Sequence, residues 1–273
     1  MEPIKISERI TFIAKELGWK GSRQRCLLLT GMGKTALQKA LLQIIGQETA
    51  DKLKIKFTDE FDYYPKGFPN PNEIELDKVE LPVNVHYREK LNKWWLKRSA
   101  KTPTWDLVCN AEINEEPGLI LVEAKAYEGE LPEEGSDAKE PNRSSIMGAL
   151  KDVNDAYDYE LSIDKCYQMS NRIAWGIKLA SKGIPVVLIY LGFENAIEMD
   201  RGDLIETWDK WNCTVRKHSQ IISFEDWEKE IPGNKLCNVN PSFFYPIIRT
   251  ANVQLVSGNM SLECDLKVDE PNV

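Results

Sequence analysis

Three side chains in this sequence have types and spacing suited to hydrolytic chemistry: Asp106, Glu123 and Lys125. Glu123 and Lys125 stand two apart in LILVEAKAY (119–127). Successive side chains of a strand point to opposite faces, so these two share a face and Ala124 takes the other. Placing two charges directly after Leu-Ile-Leu-Val is costly unless they find each other, a metal ion or a solvent-filled cleft. Asp106 lies in the preceding strand-like run TWDLVCNAEI (104–113). The intervening NEEPG reads as a hairpin turn, which brings Asp106 toward Glu123. Two carboxylates brought close repel unless a cation lies between them. Mg²⁺ takes oxygen ligands and keeps several waters, so Asp106, Glu123 and the backbone carbonyl of Ala124 suit it. The competing reading is an ordinary ion pair on an edge strand.

The elements that must position these groups follow from periodicity. SERITFIAKELGW reads as a helix from Ser7 to a stop at Gly18, and KTALQKALLQIIG as a second helix ending near Gly46. Residues 57–84 are rich in Pro, Asn and Asp, and predict a loop with one short strand. HYREKLNKWWLKRSAK predicts a helix over 86–100 with a cationic end. The acidic stretch 128–142 holds no apolar run and predicts an exposed loop. The region 144–182 predicts two helices breaking near 160. PVVLIYLGF (185–193) is a nearly continuous apolar run, expected as a central strand covered on both faces. The remainder holds the Trp-rich LIETWDKWN, a strand-like IISF, a helical EDWEKEI and a polar tail. The order helix, strand, strand, long helix, buried strand predicts an α/β fold, a mixed sheet flanked by helices.

Over residues 86–193, motif and element order together resemble the PD-(D/E)XK, or restriction-endonuclease-like, nuclease superfamily. Its signature is an Asp at a strand start followed by Glu-x-Lys at the end of the neighbouring strand, here Asp106 and then Glu123-Ala124-Lys125. The proline of the signature stands earlier than usual, at Pro103, and Trp105 directly precedes Asp106. The resemblance implies a central mixed sheet of αβββαβ order and a catalytic set of Asp106, Glu123, Lys125 and Gln168. It implies Mg²⁺, with Mn²⁺ able to substitute, held by Asp106, Glu123, the Ala124 carbonyl and Glu89, with Glu48 as runner-up to Glu89. Arg172, Asn171, Lys97 and Arg98 are the implied nucleic-acid contacts. The expected activity is hydrolysis of phosphodiester bonds in DNA, in the manner of a type II restriction, defence or repair endonuclease, for which a homodimer would serve to cut both strands. The alternative is a non-catalytic module on the same fold that binds nucleic acid or protein. On this reading residues 1–84 form an N-terminal helical region and linker, 85–230 the nuclease-like core, and 231–273 a C-terminal extension.

The chain as a whole sets limits on these readings. Its 273 residues suffice for one large domain, and 42% hydrophobic with 29% charged residues is ordinary for a globular protein. A net charge of −8 argues against a protein that coats nucleic acid non-specifically, so any such contact must use local basic patches. No run approaches the length of a membrane span, and MEPIKISERI lacks an apolar leader; a cytoplasmic protein with no membrane partner is expected. The six cysteines form no CxxC pair, which speaks against zinc and against a disulfide framework. TGMGKT (30–35) ends like a phosphate-binding loop, but position 28 is Leu where that motif needs Gly. Trp94, Trp95, Trp208 and Trp211 are expected as structural anchors.

Overall fold

The computed structural model describes residues 4–5, 20–76, 94–95, 102–236, 241–256 and 259–263. The helix expected from Ser7, most of the helix expected over 86–100, and the candidates Glu89, Lys97 and Arg98 lie outside them.

In chain order the strands are β1 (Ile4–Lys5), β2 (Tyr63–Tyr64), β3 (Ile74–Glu75), β4 (Thr104–Trp105), β5 (Leu107–Ile113), β6 (Glu116–Lys125), β7 (Val186–Phe193), β8 (Ile231–Pro232), β9 (Phe243–Val256) and β10 (Asn259–Glu263). The α-helices are α1 (Gly21–Gly31), α2 (Lys34–Ile45), α3 (Gln47–Lys52), α4 (Asn142–Tyr157), α5 (Tyr167–Ala180) and α6 (Trp208–Ile221). Eight strands form one mixed sheet in the order β1-β10-β9-β7-β6-β5-β2, with β8 beside β9, while β3 and β4 pair separately. The β5–β6 pairing is antiparallel; β6–β7 and β7–β9 are parallel. Among the described residues no helix is long and apolar enough to cross a membrane.

The alternation of β6 and β7 divides the core in two. Leu119, Leu121, Val186, Leu188 and Tyr190 face Ile146, Ile173 and Trp211 of α4, α5 and α6. Ile120, Val122, Ala124, Val187, Ile189 and Leu191 face Leu27, Leu37 and Leu41 of α1 and α2. All eight residues of β7 are buried, as a strand with helices on both faces requires. The expected break between two helices falls at 158–166. Asp158 there adopts a left-handed conformation that ends α4.

Several expectations are corrected. Residues 26–29 (CLLL), for which no element was expected, lie inside α1; Cys26 to Thr30 are buried almost all round the helix, so no periodicity marks it. TGMGKT therefore joins two helices, whereas a phosphate-binding loop follows a strand. The NEEPG turn is tighter than its composition suggests. Ile113 pairs with Glu116, leaving a two-residue loop of Asn114 and Glu115, both at positive φ, the geometry that matches strand twist. IISF closes α6 and enters a turn, and EDWEKEI is turns rather than helix. The acidic stretch 128–142 is largely exposed, yet it is pinned: Ser136 N–H donates to the Ile163 carbonyl and Cys166 N–H to that of Glu133.

The largest correction is β9. Residues read as part of a polar extension form a fourteen-residue strand next to β7. Pro246 disguised it, because proline lacks the N–H of an interior strand. Here the side of β9 away from β7 is covered in pieces by β8 and β10, and the Pro246 carbonyl accepts from Glu228 N–H.

Helix α5 seats against this strand at Gly176. A Cβ there would lie 2.2 Å from the buried Phe244 ring. Gly176→Ala is therefore expected to cost about 1–3 kcal/mol, by forcing helix and strand apart. Urea unfolding measures this, and a variant as stable as wild type would contradict the packing.

Candidate functional site

Glu123 and Lys125 occupy the carboxyl end of β6, on the face toward α4, α5 and α6. Ligand sites of α/β sheets form at such strand ends. Strand β6 is flanked by β5 and β7, so the ion pair does not sit on an edge.

Asp106 is set beside them by an interruption of the ladder. The strand expected over 104–113 is broken at Asp106 into β4 and β5. The last β5–β6 pair is Leu107 with Val122. The next inward N–H of β6, that of Ala124, is taken by the Asp106 side chain: Oδ2 accepts at 2.8 Å. A carboxylate thus replaces a backbone partner and is held next to Glu123.

Glu123 is 1% exposed and both its oxygens are occupied. Lys125 Nζ donates to Oε1 at 2.5 Å, and Arg172 Nε donates to Oε2 at 2.6 Å. Arg172 comes from α5, its guanidinium 4.5 Å from the Trp105 ring centre. It also donates to the Thr104 carbonyl at 2.8 Å and to Asn171 Oδ1 at 3.2 Å. Asn171 in turn donates to the Tyr167 hydroxyl at 3.4 Å. Arg172 and Asn171, expected as nucleic-acid contacts, are 7% and 6% exposed and belong to this buried network.

The charges respond to this packing. Burial pushes the Asp106 carboxyl up to about 7; the Glu123 carboxylate adds to the rise, and Lys125 and the Ala124 N–H oppose it. Burial alone would raise Glu123 as well, but Arg172 and Lys125 more than offset it and hold its carboxyl below the usual range. Burial works against the Lys125 ammonium, yet Glu123 and Asp106 keep its pKa above the ordinary lysine value.

Gln168 lies one turn before Arg172, and its Oε1 is buried without a hydrogen-bond partner. Glu48 is exposed on α3, whose Ala50 packs against the sheet face opposite Glu123, so it is not brought to the site. Among the described residues no group of three or more His, Cys, Asp or Glu is placed to hold a metal ion. Two participants escaped the sequence reading. Glu73, exposed before β3, is near enough to raise Asp106. Tyr190 pairs in register with Glu123, and its buried hydroxyl has no partner. Neither carries a local signal, since each depends on a pairing between distant segments. The tryptophans are anchors: Trp211 Nε1 donates to the Tyr190 carbonyl and Trp208 Nε1 to that of Ile248. The described cysteines are free thiols, three of them buried.

No family model matches the chain, and no curated protein or solved structure is significantly similar to it.

Two stability effects of opposite sign follow. The raised Asp106 pKa, about 7 against an ordinary 3.8, means that the folded chain keeps a proton which the unfolded chain releases. Stability should therefore fall as pH rises across that window, and Asp106→Asn should remove this loss. Urea unfolding between pH 4 and 8 tests it, with a parallel wild-type and variant dependence as the contrary result. Glu123→Gln leaves two buried cations with Asp106 as their one remaining carboxyl partner in the network and should cost about 3–5 kcal/mol in urea unfolding.

Proposed function

We propose that this chain is a metal-dependent nuclease hydrolysing phosphodiester bonds in DNA on a restriction-endonuclease-like core. The observation that carries the reading is the Asp106 carboxyl, pinned to Ala124 N–H beside Glu123 and Lys125 and raised in proton affinity by burial and the neighbouring carboxylate. Such a group is stabilised by an added cation. The element order supports the same reading: antiparallel β2, β5 and β6, then helices, then β7 parallel to β6, follows the αβββαβ sequence.

The donor set is all oxygen, which suits Mg²⁺ or Mn²⁺. Asp106, Glu123 and the Ala124 carbonyl would hold the ion. The orphaned Gln168 Oε1 and Tyr190 hydroxyl agree with a site that has further polar groups to satisfy. When bound, the ion would offset charge on the scissile phosphate and make an attacking water more acidic. Lys125 would hold a non-bridging phosphate oxygen as charge develops. Gln168 Oε1 would orient that water as an acceptor. A restriction, defence or repair role fits such an activity.

One observation favours the second reading, a non-catalytic binding module. Both Glu123 oxygens already rest on cations, which balances the site without metal. The readings part in a cleavage assay. Purified protein should cut DNA with Mg²⁺ or Mn²⁺, and Asp106→Ala and Lys125→Ala should each lower the rate by about a hundredfold or more while remaining folded. Absence of cleavage on varied DNA and RNA, together with no metal uptake by calorimetry, would leave the binding module standing.

A further inference from the structure

The Arg172 guanidinium turns its donors inward, to Glu123, the Thr104 carbonyl and Asn171. It closes one oxygen of the carboxylate whose other oxygen Lys125 closes. A metal ion drawing on Glu123 must then displace a cation or share an oxygen with one. Charge sharpens the difficulty. Two carboxylates, Asp106 and Glu123, stand against two cations, Lys125 and Arg172, so the four groups carry no net negative charge to receive a metal ion. A divalent ion added alone would leave a double positive charge among groups that are mostly buried, where uncompensated charge is costly. An anion entering with the ion offsets part of it, and a phosphodiester, with one negative charge, is the anion that a nuclease substrate supplies. The planar guanidinium fork matches two phosphate oxygens as well as it matches a carboxylate. A further acceptor stands one turn away along α5, at the buried and unpartnered Gln168 Oε1.

Resting on the nuclease reading, we infer that Arg172 is an exchangeable stopper on Glu123. It keeps the carboxylate closed to metal until a phosphodiester draws the guanidinium away. Metal and nucleic-acid backbone then bind cooperatively, and metal alone binds poorly.

Calorimetric titration with Mn²⁺, with and without a pool of short random-sequence duplexes carrying a cleavage-resistant phosphorothioate backbone, tests this. Wild-type affinity for Mn²⁺ should rise about tenfold or more when the duplex is present. Arg172→Gln should bind Mn²⁺ as tightly without the duplex as with it, whereas Arg172→Lys, which keeps the charge, should stay weak without it. The wild-type comparison stands even if Arg172→Gln fails to fold. Equal wild-type affinity in both conditions overturns the inference and leaves the nuclease reading intact. Wild-type protein that takes up no Mn²⁺ in either condition removes both.

Discussion

An ionised glutamate cannot remain inside this molecule unless something answers its charge, and the Arg172 guanidinium is the answer brought from furthest away. The bond between them ties the end of β6 to the start of α5, elements separated by an acidic loop and a whole helix. Much of the architecture on that side is conditioned by it. Arg172 can reach Glu123 because α5 lies low on the sheet, and α5 lies low because Gly176 leaves room for the Phe244 ring. Trp105 stacks on the guanidinium and so fixes the short β4, whose neighbour Asp106 then falls opposite Glu123. A buried pair of this kind contributes little net stability against an apolar replacement, while losing one partner is severe. Its value here is positional.

The two faces of the sheet divide the labour. The face toward α1 and α2 is apolar along β5, β6 and β7. The opposite face is apolar over most of its area but admits charge at one corner, where β6 ends. Even Cys26, on the apolar side, registers that corner: burial raises its thiol, and the Asp106, Glu73, Glu123 and Glu130 charges raise it further.

What could be read from the sequence follows physical range. The strand 186–193 announced itself because a run of eight apolar residues admits little else, and the helix pair 142–157 and 167–180 because apolar spacing persists over several turns. The proximity of Asp106 to Glu123 was legible because a short turn joins their strands. Arg172 was noticed for its charge, but its bond to Glu123 was not legible, since no local pattern tells whether a helical arginine faces solvent or a carboxylate some fifty positions earlier. Strand β9 was hidden by Pro246, a residue tolerated only because its outward neighbours are fragments. Glu73 and Tyr190 were invisible for the same reason: tertiary pairing chose them.

The place of β9 has a consequence for how the molecule is made. Strand β7, the most apolar in the sheet, is synthesised well before the partner that covers its outer edge. Until residues 243–256 leave the ribosome, that edge offers a row of open backbone groups to any passing strand. Assembly from the N-terminus can proceed as far as β6 and β7 and must then wait. The growing chain therefore passes through an interval of adhesiveness, and the burden of crossing it falls on whatever shields nascent polypeptides in the cell.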